Sequence, residues 1–288
     1  MTRPSRPATH SRGAADPETF GGGAPIQDAE TRAALARLYD LDMADDPGDL
    51  DLYRALAQRT GGPILELAVG SGRLAIPLAA AGFAVTGVDN DPAMLDRARA
   101  AAAVPGPGRT RKGRRLDLIQ ADLIGLSLPA AGSFRLAFIA LNSVLLLASR
   151  AAQREALRTL ARHLAPGGLA VVDVWQPGAE DLARFDGRII LEHARPDPET
   201  GRIMTKASSA QHDPSSQLVT LTTIYEEGAQ GGPPVRWLRT DRLRLVSADE
   251  LVGFAEDAGL EVENLAGDYD LAPIGPSTDR AILVAVRP

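Results

Sequence analysis

Ile64-Leu65-Glu66-Leu67-Ala68-Val69-Gly70-Ser71-Gly72-Arg73-Leu74-Ala75 is the stretch on which the fold turns. It opens as a short, nearly continuous apolar run, the pattern of a parallel strand buried on both faces. Gly70 and Gly72 follow where a sharply reversing chain needs residues that tolerate positive φ. Their missing side chains also let backbone N–H groups approach a ligand at the positive end of the next helix. Ile76 and Leu78 continue as the apolar side of that helix. Strand, glycine turn and helix in this order predict a nucleotide-cofactor site.

Outward from this stretch the chain alternates regularly. Upstream, Ala34, Leu35, Leu38 and Tyr39 form one helical pattern beginning at Asp28, and Leu50, Tyr53, Leu56 and Ala57 form a second. Gly61-Gly62-Pro63 stops the second helix before the strand. Downstream, a helix over Arg73–Ala81 gives way to a strand over Ala84–Val88 that ends at Asp89. A helix from Pro92 to about Ala102 follows, Pro92 suiting a first turn. A loop with Pro105-Gly106-Pro107-Gly108 and the basic run Arg109–Arg115 precedes a strand over Leu116–Gln120. A fourth strand over Leu136–Leu141, a helix over Ala151–Leu164, a break at Ala165-Pro166-Gly167-Gly168 and a fifth strand over Leu169–Val174 complete the series. Strands separated by helices argue an open parallel α/β sheet.

From Arg188 to Val246 the pattern switches to alternating residues between polar turns, the signature of antiparallel strands. Ser247 then starts a helix with Glu250 placed for a capping box, Gly259 ends it, and strands over Glu261–Ala266 and Ala281–Val286 close the chain. The expected organisation is a tail over residues 1–27 without apolar periodicity, read as disordered, and a core over residues 28–187. An antiparallel insertion over residues 188–246 and a segment over residues 247–288 that completes the core sheet follow.

Composition narrows the function. A formal net charge of -6 offers no electrostatic footprint for nucleic acid, and aromatics at 4% are too sparse for a base-stacking platform. With no cysteine, disulfides, zinc thiolate sites and cysteine nucleophiles are excluded. His10, His163, His193 and His212 are scattered without metal-ligand spacing, so no metal is expected. His163, late in its helix, reads as a C-terminal cap. The N-terminus lacks an apolar leader, and the most apolar later stretch, Phe134 to Ala148, is interrupted by Asn142 and Ser143. It is also shorter than the roughly 20 residues that span a bilayer. These features lead us to expect a cytoplasmic protein with no membrane partner.

The turn fits the dinucleotide fingerprint G-x-G-x-x-A, with Asp89 near the expected distance for a ribose-binding acid. That pattern alone is also met in ordinary strand–helix turns and does not separate NAD from S-adenosylmethionine. Three further features bear on the choice. Glu66, four residues before Gly70, would repel a pyrophosphate but stabilise a ligand bearing an ammonium and a sulfonium. Gln120-Ala121-Asp122 ends the third strand, where a carboxylate can accept from an adenine amine. Pro166-Gly167-Gly168 falls between a helix and the fifth strand, after Asn142 at the end of the fourth. The three acids all lie at strand ends on one edge of the sheet, where open α/β sheets bind ligands.

With these positions the chain resembles the class I S-adenosylmethionine-dependent methyltransferases, over about residues 35–180 and the last forty; its layout is nearest to the small-molecule and sugar N-methyltransferases. The resemblance implies a Rossmann-like, seven-stranded, mostly parallel sheet with helices on both faces and the last strand antiparallel. It also implies site roles. Gly70 and Gly72 would pass under the methionine and ribose parts of S-adenosylmethionine, with Arg73 beside them and Glu66 near the methionine amino group. Asp89 would accept from both ribose hydroxyls. Asn90 and Met94 would flank the adenine, and Asp122 with the Leu123 N–H would hold its edge. Tyr39 would close over the cofactor, its alternative being a helix-face aromatic packed on the core. Ala68 departs from the family's usual glycine. A second departure concerns catalysis: some relatives carry Asn-Ser-x-x-His-Leu after the fourth strand, with the histidine as base, whereas Leu146 occupies that position here.

The acceptor half of the site is less legible. Tyr39, Asn142 and Tyr269 are the candidates for a catalytic role, with Asn142 also placed to touch the cofactor. Ser143, like Asn142, faces the site by position and could touch cofactor or substrate, and Trp175 and Tyr269 could line the acceptor pocket, where packing or turn roles compete. Arg109–Arg115 either draws in an anionic acceptor or is a solvated loop. The expected activity is methyl transfer to nitrogen or oxygen of a small-molecule acceptor, with the insertion acting as a lid or a homodimer contact. Two other readings stay open: a non-catalytic S-adenosylmethionine-binding protein, and an NAD-dependent oxidoreductase, in which Glu66 and Asp122 would have no role.

Overall fold

The computed structural model describes residues 28–45, 47–104, 115–228, 233–275 and 278–288. The N-terminal tail over residues 1–27, and all of the basic run but Arg115, lie outside the described residues. The elements in chain order are α1 (Ala29–Asp42), α2 (Leu50–Thr60), β1 (Ile64–Leu67), α3 (Ala75–Ala80), β2 (Ala84–Asp89), α4 (Pro92–Ala103), β3 (Arg115–Gln120) and β4 (Phe134–Ile139). A short 3-10 turn (Ser143–Leu146), α5 (Arg150–His163), β5 (Leu164–Trp175) and α6 (Ala179–Arg184) follow. Then come β6 (Asp186–Pro196), β7 (Ile203–Asp213), β8 (Leu218–Gly228), β9 (Val235–Arg244), α7 (Ala248–Asp257), β10 (Glu261–Ala266) and β11 (Arg280–Val286).

Seven strands form one sheet in the order β10-β11-β5-β4-β1-β2-β3. β1 to β5 run parallel, and β11 inserts antiparallel beside β5. Every residue of β1 is buried, Glu66 included, as a nearly continuous apolar run predicts for a central strand. Its side chains alternate between two cores. Leu65 and Leu67 join the cluster under α5 and α7, and Ile64 joins the one with α2 and α3. Strand period therefore turns Glu66 toward the α2–α3 side. Successive crossovers from β1 go one way to β2 and the other to β4, so the sheet opens a crevice at the carboxyl end of β1.

The second sheet is the antiparallel meander β6-β7-β8-β9, inserted after β5 as the alternation in residues 188–246 indicated. It rests on α1. Leu35 and Leu38 of α1 pack with Met204, Tyr225 and Trp237 in a third apolar cluster, separate from the other two. Arg37 of α1 bonds Asp197 and Glu227 of the insertion, and Lys206 reaches Asp42 at 2.7 Å and Glu192 at 2.8 Å. From the other side, Arg97 of α4 bonds Asp40 and, at 2.6 Å, Glu199. α1, expected with the core, thus buries its apolar face on the insertion. None of the described helices is long and apolar enough to cross a membrane.

Several boundaries differ from expectation for identifiable reasons. β5 begins at Leu164, not Leu169, and takes in the Pro-Gly-Gly break: the Gly167 N–H donates to the Arg287 carbonyl at 2.7 Å, and the Arg287 N–H donates to the Gly168 carbonyl at 2.9 Å. The last strand supplies the partners that a free turn would lack. β4 stops at Ile139, because Leu141 and Asn142 adopt left-handed φ of 49° and 67°. The capping box at Ser247 is half made. Ser247 accepts from the Glu250 N–H at 3.1 Å, but the Glu250 carboxylate turns to Arg244 and Arg150, both at 2.9 Å. His163 is no exposed cap. It is fully buried and donates from Nδ1 to the Thr159 carbonyl at 2.7 Å, while Nε2 accepts from the Leu128 N–H at 3.1 Å.

Candidate functional site

The turn after β1 is built from three left-handed residues, Ala68 (φ 57°), Gly70 (φ 55°) and Gly72 (φ 85°). Gly72 has a second reason to be glycine: a Cβ there would lie 2.9 Å from Ile76 Cδ1. At Ala68 the departure from glycine therefore concerns conformation, not space, since left-handed backbone disfavours any Cβ. The turn is closed by the Gly72 N–H donating to the Val69 carbonyl at 3.0 Å, and α3 then starts at Ala75, two residues later than expected.

Asp89, at the end of β2, holds two loops together. Its Oδ2 accepts from the Gly70 N–H at 2.8 Å and its Oδ1 from the Asp91 N–H at 2.9 Å. Burial raises its pKa against the effect of these donors. A carboxylate has about four acceptor positions, so two lone pairs remain for a vicinal diol. Met94, under α4, is buried, and Asn90 is exposed beside it. Asp122 is exposed just past β3, its Oδ1 accepting from the Ile124 N–H at 2.8 Å. The neighbouring Leu123 carbonyl accepts from Thr159 at 3.0 Å.

Glu66 is 4% exposed, and its Oε2 has no hydrogen-bond partner. Burial pushes its pKa up to about 8, which the nearby Arg73 charge only partly opposes. Arg73 is itself engaged, gripping the buried Asp49 through both Nη atoms at 2.5 and 2.7 Å. The hydroxyl of Tyr53, entirely buried on α2, also lacks a partner, and Asp173, Asp49, Tyr269 and Glu66 all raise its pKa beyond the larger effect of burial. Tyr39 lies half-buried among Arg73, Asp40, Arg239 and Glu66, its own pKa raised chiefly by burial. An unsatisfied buried carboxylate is costly on its own and calls for a cation. Here it sits beside a glycine cradle and a diol-accepting acid, a combination that fits the ammonium and ribose of S-adenosylmethionine.

The structure brings Tyr39, Glu66, Arg73, Asp89 and the glycine turn to one crevice, with Asp122 at its rim. Asn142 and Tyr269 are each bonded to β5. The Asn142 side-chain oxygen accepts from the Trp175 N–H, and its own N–H donates to the Asp173 carbonyl at 3.0 Å. The Tyr269 hydroxyl donates to Asp173 Oδ2 at 2.9 Å, beneath the Arg280 guanidinium 4.9 Å from its ring centroid. Burial, then the Asp173 charge and hydrogen bond, raise the Tyr269 pKa well above its usual range against the opposing Arg280 charge, so it is poorly suited to act as a base. Trp175 packs against Phe185, with the ring centroids 5.8 Å apart and the planes tilted by 54°. Asp42, Glu192 and His193 converge within 4.8 Å, but Lys206 already supplies a cation to that group.

Sequence reasoning missed Asp49, Tyr53, Asp173 and Arg239. Asp173 carried a signal, an acid inside the apolar run Val171-Val172-Asp173-Val174. Tyr53 and Asp49 carried none, since helix-face and helix-start roles account for both.

Comparison with known proteins agrees with this geometry. Residues 64–168 match a family described as a methyltransferase domain. The chain is 26% identical over 239 residues to the cypemycin N-terminal methyltransferase of a Streptomyces species, covering 82% of this chain and 86% of that one. It is 29% identical over 136 residues to the dTDP-4-amino-2,3,4,6-tetradeoxy-D-glucose N,N-dimethyltransferase of Saccharopolyspora spinosa, covering 46% and 47%. Among solved structures, the CcbJ methyltransferase from Streptomyces caelestis superposes with a TM-score of 0.70 at 27% identity, covering 85% of this chain and 98% of that one.

Proposed function

We propose that this chain, a class I S-adenosylmethionine-dependent methyltransferase, methylates an amine of a small-molecule acceptor held between the glycine turn and the antiparallel sheet. The buried, unpartnered Oε2 of Glu66 carries the reading of the cofactor half. When bound, S-adenosylmethionine supplies a methyl carbon already activated by its sulfonium. The chain's own work is then binding and alignment, which suffices for much of the acceleration of an in-line displacement. Glu66 receives the ammonium, Asp89 the ribose hydroxyls, and Asp122 with Leu123 the adenine edge. Met94 and Asn90 flank the ring, and Tyr39 covers the crevice from α1.

Nitrogen is favoured over oxygen because a neutral amine needs no base, whereas a hydroxyl benefits from one. Leu146 stands where some relatives carry histidine. The Asn142 side-chain oxygen, its one side-chain acceptor, is taken by the Trp175 N–H, and the Tyr269 hydroxyl by Asp173. The names of the two sequence relatives, both N-methylating, support the same choice. A small acceptor is preferred to nucleic acid by the net charge of -6, and the lack of cysteine suits a reducing cytoplasm.

The insertion also has an outward face suited to a second copy. Leu191, Ala207, Ile224 and Leu238 stand in register across all four strands, with Leu191 67% and Leu238 55% exposed. Apolar patches of this kind on an otherwise polar surface mark association. Light scattering is expected to give a dimer mass, and the double change Leu191→Glu, Leu238→Glu a monomer; a wild-type monomer at tens of micromolar removes this contact.

The cofactor assignment is tested by calorimetry. S-adenosylhomocysteine should bind and Asp89→Ala should abolish binding; binding of NADH in its place would overturn the assignment. Transfer of labelled methyl into a metabolite pool then separates an enzyme from a non-catalytic binder and identifies the acceptor.

A further inference from the structure

The insertion's inner face carries one arginine whose outer edge is open. Along β8 the buried positions are Val219, Thr223, Tyr225 and Glu227, which defines the face turned toward α1 and the crevice. Arg239 of β9 lies directly cross-strand from Thr223, which in turn lies cross-strand from Ser208 of β7. The inner face therefore presents a row of Ser208, Thr223 and Arg239, bounded on one side by Tyr225 and Trp237, themselves cross-strand partners. Glu192 takes the Ser208 hydroxyl. Thr223 and Arg239 remain.

Arg239 is fixed through its Nε, which donates to Asp241 Oδ2 at 2.7 Å. An arginine has five N–H donors. Among the described residues nothing bonds its two Nη atoms, and the side chain keeps 30% of its surface accessible. Tyr39, Tyr225, Asp91 and Asp241 are its electrostatic neighbours, which sets it near Tyr39 of α1 and the residue that caps the start of α4. Arg73 differs, because both of its Nη atoms are spent on Asp49. A guanidinium held at its Nε with a free fork matches planar or tetrahedral oxyanions bidentately.

We propose that Arg239, with Thr223 beside it, is the subsite that recognises an oxyanion, a carboxylate or a phosphate, on the methyl acceptor. This rests on the methyltransferase reading, and it narrows the acceptor to molecules carrying an amine and an anionic group. Asp241 is a positioning residue: it orients the fork and offsets its charge in the empty crevice. A carboxylate is also present on the cofactor itself, so the test separates the two sources.

Protein saturated with S-adenosylhomocysteine is titrated with inorganic pyrophosphate and, in parallel, with acetate. At least one probe should bind the loaded wild type, and Arg239→Met should weaken it at least tenfold while leaving the S-adenosylhomocysteine affinity within threefold. Arg239→Lys, which keeps the charge but loses the fork, should weaken it at least threefold and decides the matter if the methionine variant does not fold. The proposal is overturned if neither probe binds the loaded protein, or if both variants bind the probe as the wild type does. It is equally overturned if Arg239→Met weakens S-adenosylhomocysteine itself tenfold, since the fork then serves the cofactor's carboxylate. Failure of the wild type to bind S-adenosylhomocysteine instead strikes the methyltransferase reading.

Discussion

Replacing Glu66 by glutamine isolates the feature on which the cofactor assignment rests. In the unfolded chain this carboxyl titrates near its ordinary value, whereas in the fold burial lifts it to about 8. The folded protein then holds a proton that the unfolded chain releases as pH rises from about 4.5 to 8. Stability from this group is accordingly full below the unfolded pKa and declines with rising pH until about 8. At about 1.4 kcal/mol per pH unit, the loss between pH 5 and pH 8 is about 3–4 kcal/mol. Glutamine keeps the shape without the titration. Its amide brings an offset of about 1–3 kcal/mol if a buried N–H is left unpaired, but that offset does not vary with pH. The stability difference between Glu66→Gln and wild type should therefore move in favour of the variant by about 3–4 kcal/mol from pH 5 to pH 8. Urea denaturation of the ligand-free proteins across this range measures it. Other titrating groups, Asp89 among them, are common to both proteins and cancel. A difference that changes by less than about 1 kcal/mol would falsify the claim that Glu66 is neutral in the empty site. The same proton reports ligand binding. If the ammonium of S-adenosylhomocysteine meets an ionised Glu66, binding at pH 7 should expel about 0.9 proton from the wild type. Calorimetry in buffers of different ionisation enthalpy reads this number, and Glu66→Gln should release none from this position.

Three further perturbations have definite expected outcomes. Ala68→Gly relieves left-handed strain of about 1–2 kcal/mol and costs about 0.5–1 kcal/mol of chain flexibility, so a net gain of roughly 0.5–1 kcal/mol in urea denaturation is expected, with S-adenosylhomocysteine affinity unchanged. His163→Leu strands the buried Leu128 N–H and should lose about 1–3 kcal/mol. Because burial lowers the His163 pKa, wild-type stability from this group is present above about pH 6.5 and falls as pH drops below it, a slope the variant should lack. Arg37→Met leaves Asp197 and Glu227, each 2% exposed in the side chain, without their cation. A loss of about 3–5 kcal/mol is expected for such a broken pair, read as protease cleavage within residues 186–244 before the core is cut.

The alternation of strands and helices, the glycine turn and the acids at strand ends were legible because each follows from local pattern. A run such as Ile64–Leu67 must be buried, Gly70 and Gly72 must turn, and Glu66, Asp89 and Asp122 then fall on one edge whatever the packing. The antiparallel insertion was legible for the same reason, through its period of two. Which polar atoms are free was not. Asn142 and Tyr269 looked available, yet their partners Trp175 and Asp173 lie 33 and 96 residues away in sequence. His163 looked exposed, and only the approach of Leu128, 35 residues upstream, makes it a buried structural hinge of hydrogen bonds. Nothing in the local sequence singles out Arg239, and only the folding of the meander over α1 sets it beside Tyr39 and Asp91. Short-range periodicity specifies backbone and therefore the half of the site made of strand ends and turns. The hydrogen-bond partners of side chains come from segments brought together only by packing, so tertiary structure alone decides which of them remain free for a substrate.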